Sequence, residues 1–408
     1  PAQRPSRCSP EFIHGLLVSS ALAATLVACG DAYRDDSLQG ADRFVALELD
    51  SVYEIGLDED VHYFGRISSI GFDGSGRLHV LDTEAHEVTS WAADGRMIRR
   101  FGSMGDGPGE FRAPRGAYVF RDGTVAVHDI GHRALVTFDS AGQHVENFRW
   151  AGGLVPGISA VVLTGVRVVG PDDPWITSGN ARDNTRPVYR FSLDGDSVAS
   201  ELLFVAWRST ERSMSFVPSL RHAALPDGRI VVADSAVGYR IDIVSTEGAI
   251  DGTLERPVEP WPVTEEVMVA ERERLIASLP GERGLARARE DLQAAMGIRL
   301  RNEIDASQVL ENSRALIEER RFATQVPVID RLRADWDGRI WVARSDSMGG
   351  GGGPIDLLTA DGGYLGSWHP GDLGLPAAFG PDGLMAYRRS DELGRQNILV
   401  VRLDREKL

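Results

Sequence analysis

A turn followed by an alternating, β-rich run recurs along the chain and constrains its fold more than any other feature. The copies are "FDGSGRLHVLD", "FRDGTVAVHD", a weaker "GPDDPWITSG", "LPDGRIVVAD", "WDGRIWVAR" and "GPDGLMAYR". Successive marker aspartates are 49, 50, 55, 110 and 45 residues apart: Asp73, Asp122, Asp172, Asp227, Asp337 and Asp382. Asp-Gly between alternating apolar segments indicates a hairpin, because Gly accepts the positive φ that such turns require. The chain is therefore predicted to repeat one β-hairpin unit about every 50 residues.

Each unit also carries a second turn, in the segments "ADGR", "SAGQ", "LDGD", "TEGA" and "ADGG". Two hairpins per unit give four antiparallel strands. Six such units at this period predict an all-β fold, a six-bladed β-propeller. The sixth unit has only three evident strands before the chain ends, so its outer strand is expected from elsewhere. The alternating run "FVALELDSV" at residues 44–52 fits that role, and we expect this N-terminal strand to close the ring.

The spacing of 110 residues contains one ordinary unit and about 60 residues of a different kind, between blades 4 and 5. Residues 264–324 are predicted to form a helical insert, with Thr264 as the N-cap of a first helix and further helices at 286–296 and 307–321. In a propeller, connections between blades lie on the same face as the loops between second and third strands. We call this face the top face. The insert is expected there, as a lid over the channel mouth or as a decoration packed on one blade.

The N-terminus has the pattern of a secretory signal. Arg4 and Arg7 precede an apolar run at residues 12–28 that ends in "LVAC" at Cys29. An uncleaved membrane anchor is the alternative interpretation of this run. The ending resembles the bacterial lipobox, which implies that Cys29 is lipidated. The prediction is a signal peptide at 1–28, a lipidated tether at 29–43 and a propeller at 44–408. The expected address is the bacterial cell envelope, in the outer membrane or periplasm.

Composition excludes several classes of function. The net charge is −16, and an acidic surface repels phosphate backbones, so no nucleic-acid partner is expected. Lys407 is the sole lysine, which leaves no plausible Schiff-base or P-loop lysine. Loss of Cys8 with the signal peptide would leave Cys29 alone, so no disulfide is expected.

The segment "FGSMGDGPGEFRAPRG", with the runs on either side of it, resembles the NHL repeat and the six-bladed propeller lipoproteins of bacteria. Asp82, Asp129 and Asp234 match the aspartate of that repeat. Arg133 and Arg240 match its arginine, and Glu87 stands in the arginine position of the first blade. The resemblance implies that these side chains fix the loops of their own blades.

The same residues are the candidates for a binding site on the top face, because their loops are expected there. The full set of candidate top-face residues is Asp82, His86, Asp129, His132, Arg133, Asp234, Arg240 and Arg344. His62, His86 and His132 are weak candidates for zinc ligands, since no two have a diagnostic spacing. The five-glycine run at 349–353 is predicted to be a flexible loop tip, because no Gly-Lys-Ser/Thr follows it.

Two functions remain open. The first is a lipid-anchored binding or scaffolding propeller without a cofactor, whose partners are membrane lipid, through Cys29, and an unidentified protein or small molecule. The alternative is a metal-dependent hydrolase or lyase that resembles gluconolactonase-type propellers, which hold calcium with Glu, two Asn and Asp. Only Asn180 and Asn184 lie in a plausible top loop. Convergence of acidic or histidine side chains on the axis would favour the enzyme. A channel filled by apolar or arginine side chains would favour the binding protein.

Overall fold

The computed structural model describes residues 36–57, 62–150, 185–194, 196–211, 214–281, 284–286, 289, 293, 305–391 and 394–404, with the backbone of 160–163 and 166–169. The predicted signal peptide, Cys29, the loop with Asn180 and Asn184, and nearly all of the helix predicted at 286–296 lie outside the described residues. Among the helices that are described, none combines the length and the apolar character needed to span a membrane.

Strands dominate the described chain and form five sheets of four or more strands. The N-terminal strand is β1 (Leu49–Ile55). Sheet I contains β2 (Ile67–Phe72), β3 (Leu78–Asp82), β4 (Glu87–Trp91) and β5 (Met97–Phe101). Sheet II contains β6 (Pro114–Val119), β7 (Val125–Asp129), β8 (Ala134–Phe138), β9 (His144–Trp150), β10 (Ala160–Leu163), β11 (Val166–Val169), β12 (Thr185–Asp194) and β13 (Ser197–Trp207).

The remaining sheets follow a short strand, β14 (Met214–Ser215). Sheet III contains β15 (Arg221–Ala224), β16 (Ile230–Ala233), β17 (Tyr239–Val244) and β18 (Ile250–Arg256). Two helices, α1 (Glu265–Ala277) and α2 (Ala306–Glu318), and the short β19 (Arg321–Phe322) come next. Sheet IV contains β20 (Ile329–Ala334), β21 (Ile340–Arg344), β22 (Ile355–Leu358) and β23 (Tyr364–Trp368). Sheet V contains β24 (Ala378–Phe379), β25 (Leu384–Ser390), β26 (Gln396–Leu403) and β1.

Six separate sheets were predicted, and this count is corrected to five. Sheet II consists of two antiparallel four-stranded halves, β6–β9 and β10–β13. The halves are joined because β13 pairs in parallel with β9, through Ser197 with Arg149 and Val198 with Trp150. Two residue pairs are enough to make the hydrogen-bonded ladder continuous across the two repeats.

The sheets surround an axis with their first strands innermost. Successive inner strands contact one another: β2 with β6, β6 with β10, β10 with β15, β15 with β20, and β24 with β2. Six buried apolar clusters are present in the described residues, and each lies between consecutive sheets or between the two halves of sheet II. The fold is an all-β propeller.

The repeated sequence explains the regular sheets. The second strands β3, β7 and β21 are buried along their whole length. A strand between two packed sheets has no solvent face, which is why these strands are rich in Val, Ile and Leu. The turns that precede them end on a glycine at positive φ, at Gly123 (89°) and Gly338 (84°), as the Asp-Gly pattern predicts.

Sheet V takes its outer strand from the N-terminal part of the chain. The strand β1 pairs antiparallel with β26, from Leu49 opposite Leu403 to Ile55 opposite Ile398. The strand was predicted at residues 44–52, but it begins five residues later and ends at Ile55. Phe44 instead forms a parallel bridge with Ser367 of β23, in sheet IV. Within this short alternating run the chain thus passes from the edge of sheet IV to the edge of sheet V.

The insert between sheets III and IV has the two outer helices that the sequence predicts. Thr264 is the N-cap of α1, and its side chain accepts a hydrogen bond from the Val267 amide. Asp305 caps α2 by accepting from the amides of Ser307 and Gln308. The predicted end of the last helix at residue 321 is wrong. The helix ends at Glu318 because Arg321 and Phe322 pair with β14 as a parallel strand.

Residues 36–55 form an N-terminal clasp across three sheets. Leu38 is buried in the cluster between sheets III and IV, and Gln39 donates to the Glu255 carbonyl of β18. Backbone hydrogen bonds then tie the chain to Ser367 of β23, before β1 joins sheet V. The predicted tether at 29–43 is corrected accordingly. Its residues 36–43 belong to the propeller, because the side chains of Leu38 and Asp42 pack and pair within it.

Two arginines and two aspartates hold the clasp. Arg256 donates to Asp356 (2.7 Å) and to Asp42 (2.9 Å), and Arg344 donates to Asp42 (2.6 Å). The Arg256 guanidinium also lies 4.0 Å from the ring centroid of Tyr364. We call Asp42, Arg256, Arg344 and Asp356 the clasp network. Its two positive and two negative charges balance, which is what allows their burial.

Replacement of Asp42 by Asn is expected to destabilise the protein by about 2–3 kcal/mol. The variant leaves two buried guanidiniums short of a counter-charge. The expected loss of stability is smaller than for a fully buried ion pair, because 26% of the Asp42 side chain is exposed. Urea unfolding measures the loss, and Asp50→Asn, on the exposed side of the same segment, is the control. An equal loss in both variants would contradict the role of the network.

The difference in unfolding free energy between wild type and Asp42→Asn is expected to depend on pH. Burial alone would raise the pKa of Asp42, but the hydrogen bond and charge of Arg344, and then those of Arg256, hold the pKa below 3.8. A carboxylate with a lowered folded-state pKa contributes stability that is present above its unfolded pKa and lost as pH falls. The difference between wild type and Asp42→Asn should persist at pH 7 and shrink below about pH 4.

Candidate functional site

The aspartates that end the second strands are bound to the backbone of the top-face loops. Asp82 is fully buried and accepts from the amides of Gly65, Arg66, Glu84 and Ala85 at 2.6–3.1 Å. Each carboxylate oxygen can accept about two hydrogen bonds, so four amide donors satisfy the group. Asp82 therefore joins the loop of its own blade to the connection that enters the blade.

Asp129 has the same environment one blade later. It is fully buried and accepts from the amides of Arg112, Ala113, Gly131 and His132 at 2.7–3.4 Å. Asp234 accepts from the amide of Trp207 at 2.6 Å and is also buried. This arrangement favours the loop-fixing role that the NHL resemblance implies. Carboxylates held in this way are not presented to a ligand.

The other candidate residues are dispersed. Arg133 is exposed in the top loop of β7–β8 and has φ 54°, in the left-handed region. Arg240 lies on β17 and pairs with Asp242 (2.9 Å) and Glu255 (2.8 Å). Arg344 is buried in the clasp network. Arg240 is thus occupied by ion pairs within sheet III, and Arg344 by its pairing with Asp42 of the clasp.

The three candidate histidines have separate environments. His62 is buried against Phe64 and Trp91, with ring centroids 4.6 and 5.8 Å away. Burial, with the nearby charge of Arg100, lowers the pKa of His62. The ring nitrogens of His86 lie 3.3 and 3.4 Å from the backbone carbonyls of Glu84 and Arg112. His62 is therefore a packing residue and His86 contacts the backbone.

His132 lies between two carboxylates. Its Nδ1 is 2.9 Å from Asp129 Oδ2, and its Nε2 is 3.2 Å from Asp106 Oδ1. Asp106 also pairs with Arg112, and both come from the glycine-rich segment 101–120. The hydrogen bond from Arg112, and then that from His132, lowers the pKa of Asp106. Together these residues fasten the connection between the first two blades onto the loop of the second.

The described residues do not form a metal site. Within the part of the chain that the structure describes, no group of three or more His, Cys, Asp or Glu side chains could hold a metal ion. His86 contacts the Arg112 carbonyl and His132 contacts Asp106, the ion-pair partner of Arg112. The two histidines are close to one another only through this pair. The ligand set that a calcium or zinc enzyme requires is not met by these side chains.

The helical insert is anchored to the top-face loops of sheets III and IV. Ser215, in the connection before sheet III, donates to Glu271 of α1 (3.1 Å) and accepts from Arg320 (2.7 Å). Arg274 of α1 donates to the carbonyls of Met348 and Gly349 at 2.8 Å. The insert therefore contacts two connections on the top face.

The glycine-rich loop of sheet IV has defined contacts. Asp346 accepts from the amides of Met348, Gly350 and Gly352 at 2.8–3.1 Å. Gly349, at φ 72°, lies so close to Phe216 that a Cβ would be 2.6 Å from its ring. The loop was predicted to be a flexible tip. It is instead organised by the Asp346 carboxylate and held by Arg274.

The channel end opposite the top face is lined by apolar and arginine side chains. A cavity of about 660 Å³, including its opening to solvent, lies among the inner strands β2, β6, β20 and β24. Ile70, Val119 and Phe379 contribute apolar surface, and Arg121, Arg333 and Trp336 line the same space. No motif marks these residues as a group, since they come from four different blades.

Sequence reasoning missed Asp106, Arg112, Asp346 and Arg274. The first two lie in the segment treated only as a connector. Asp346 precedes a glycine run at the spacing of an Asx-type turn, which is a usable signal because Asp side chains commonly accept from amides two residues on. Arg274 gave no such signal, since its acceptors are 74 and 75 residues away.

Comparison with known proteins concerns the fold alone. No protein-family model matches the chain, and no curated protein matches it. Among solved structures, the chain is similar to a member of the DUF4221 family from Bacteroides vulgatus, with 12% identity, TM-score 0.50, and coverage of 88% of this chain and 98% of that one.

Two further structures are similar at lower TM-scores. One is the calcium-binding protein regucalcin from Agrobacterium tumefaciens, with 15% identity, TM-score 0.41, and coverage of 86% and 94% of the two chains. The other is a gluconolactonase from Xanthomonas campestris, with 14% identity, TM-score 0.40, and coverage of 92% and 95%. At these identities the likeness says nothing of a shared activity. The chain belongs to the class of β-propeller proteins.

Replacement of Asp129 by Ala is expected to destabilise the protein by roughly 3–5 kcal/mol, because four backbone amides lose a buried acceptor. Asp94→Ala is the matched control. Asp94 is an exposed turn aspartate that accepts from the Arg96 amide, and its loss should cost no more than about 1 kcal/mol. Urea unfolding followed by tryptophan fluorescence measures both. Unchanged stability of Asp129→Ala would show that this carboxylate is free for a ligand.

Proposed function

We propose that this chain is a lipid-anchored, extracytoplasmic β-propeller that binds a partner through its top face. The support for the anchor is the basic, apolar and "LVAC" pattern that ends at Cys29. Its address would be the bacterial cell envelope, in the outer membrane or periplasm. The first described residue, Asp36, lies seven positions after Cys29, so a lipid on that cysteine would hold the propeller close to the membrane surface.

The proposal includes a ring of six blades. The two halves of sheet II count as two blades in it, because each has its own antiparallel order of four strands and its own inner strand. The pairing of β1 with β26 would close the ring by joining the N-terminal strand to the last blade. A closed ring leaves no long unpaired edge, which a protein exposed outside the cytoplasm needs to avoid aggregation.

One observation carries the proposal for binding rather than catalysis: the polar groups that recur in the top loops are already used by the protein. Asp82 and Asp129 bind backbone amides, and Arg344 binds Asp42 and lies beside Asp356. What the top face offers instead is the helical insert and the loop it holds. Leu316 of α2 is 70% exposed, and Met348 in the held loop is 44% exposed. Leu316 and Met348 are proposed as part of the contact surface, because the centre of a protein interface is depleted of charge and rich in apolar and Met side chains.

The alternative is a metal-dependent hydrolase or lyase of the gluconolactonase-like propeller type. It requires ligands such as Asn and Asp to meet near the axis, with calcium or zinc as cofactor. Residues 170–184, which include Asn180 and Asn184, lie outside the described residues, so this alternative would need them to supply the ligands. Stoichiometric calcium or zinc in the purified protein would favour it over the binding function.

Replacement of Cys29 by Ser is expected to move the protein from the membrane fraction to the soluble fraction of a bacterial host. Serine lacks the thiol that receives diacylglycerol, and the change removes no side chain of the propeller. Cys8→Ser is the control, because that cysteine would leave with the signal peptide. Fractionation and labelling with a fatty-acid analogue give the result. Labelling that persists in Cys29→Ser would contradict the proposed anchor.

A photo-crosslinking amino acid at position 316 is expected to capture a partner in the native cell envelope. The same amino acid at Ile250 is the control, because that residue is 45% exposed but lies after a turn on the face opposite the top face. The readout is a discrete crosslinked species on a gel. Capture from position 250 and not from 316 would assign binding to the other face and contradict the proposal.

A further inference from the structure

The cavity at the channel end opposite the top face combines apolar walls with two arginines. Its lining comes from the C-terminal halves of the inner strands and from the turns that follow them, on the side opposite the top-face loops. Ile70, Val119 and Phe379 form apolar walls, while Arg333 and Arg121 supply the charge. This space is separate from the insert and from every top-face residue discussed above.

Arg333 is the unusual residue of the cavity. It lies on β20, its side chain is half-buried, and no carboxylate or carbonyl among the described residues accepts a hydrogen bond from it. Its neighbour two positions away is Arg331, which points to the same side of the strand. Burial, with the positive charge of Arg331, lowers the pKa of Arg333. A guanidinium that is half-buried without a counter-charge weakens a fold, so packing does not explain its presence.

Arg121 closes the cavity from the other side. Its guanidinium lies 4.6 Å from the ring centroid of Trp336, and these two residues come from the first turns of sheets II and IV. Arg121 is exposed and its contact with Trp336 is a single cation–π interaction. Such a contact at an exposed site is worth only about 0.5–1 kcal/mol, so it opens readily.

The charge of the inner strands contrasts with that of the chain. The described inner strands carry four arginines and one acidic residue, Asp330, in a protein of net charge −16: Arg115, Arg221, Arg331 and Arg333. A channel of one sign with low-dielectric walls concentrates ions of the opposite sign. The channel therefore attracts anions that the outer surface repels.

We propose that this cavity binds a small organic anion through a carboxylate or phosphate group held by Arg333. The guanidinium of Arg333 has unused donors in the planar fork that matches either group. The apolar walls accommodate the uncharged part of the ligand, and Arg121 leaves Trp336 to close over the bound anion. This proposal does not depend on the top-face function, because no residue is shared.

The test uses the purified full chain in detergent at low salt, with benzoate, phenyl phosphate and inorganic phosphate as probes. Calorimetric titration should show that benzoate or phenyl phosphate binds in a 1:1 complex, more tightly than inorganic phosphate does. Arg333→Met should weaken that binding at least tenfold, and Arg333→Lys should weaken it less. The two organic probes distinguish a carboxylate from a phosphate ligand.

Arg221→Met is the matched control, because Arg221 also lies on an inner strand, has no hydrogen-bond acceptor among the residues that the structure describes, and does not line the cavity. Its affinity for the probes should stay within twofold of wild type. Without ligand, Arg333→Met should melt at a higher temperature than wild type, and it should lose the rise in melting temperature that the probe produces. Absence of binding to wild type, equal binding by Arg333→Met, or a lower melting temperature of that variant would each overturn the proposal.

Discussion

The structure depends on the clasp network, the buried pairing of Asp42 with Arg256 and Arg344 beside Asp356. These four charges come from the N-terminal segment and from sheets III and IV, and they are buried together because they neutralise one another. The network fixes residues 36–48, and only a chain fixed there can deliver β1 to the edge of sheet V. The network thus joins sheets III and IV directly, and it joins them to sheet V through the N-terminal segment that continues into β1.

In this propeller, the polar side chains that hold the structure together are different from those available to bind a ligand. The aspartates that recur at the ends of second strands hold top-face loops. Of the nearby histidines, His62 packs against aromatic rings, His86 contacts the backbone and His132 contacts two carboxylates. Groups free to meet a ligand lie elsewhere, on the exposed side of the insert and on Arg333 inside the cavity. The regular repeat therefore builds the scaffold, and the departures from the repeat carry the candidate binding surfaces.

Patterns of neighbouring residues predicted the strands, turns and helices well. Contacts between residues far apart in the sequence could not be predicted in this way. The Asp-Gly turns, the buried second strands and the N-caps Thr264 and Asp305 depend on residues a few positions apart, although the sequence singled out only Thr264. Asp42 meets Arg256 and Arg344 across 214 and 302 residues, so Arg344 was interpreted as a surface ligand. The fusion of two repeats into sheet II rests on two residue pairs between β9 and β13, which no turn or periodicity signals.

The clasp makes β1 an integral part of the propeller. Native-state hydrogen exchange of the β1 and β26 amides tests it most directly, since exchange separates local fraying from global unfolding. We expect the paired amides of both strands to exchange only through the global opening, with the same free energy as the amides of β21. Exchange of β1 at a much lower free energy, with β21 still protected, would contradict it.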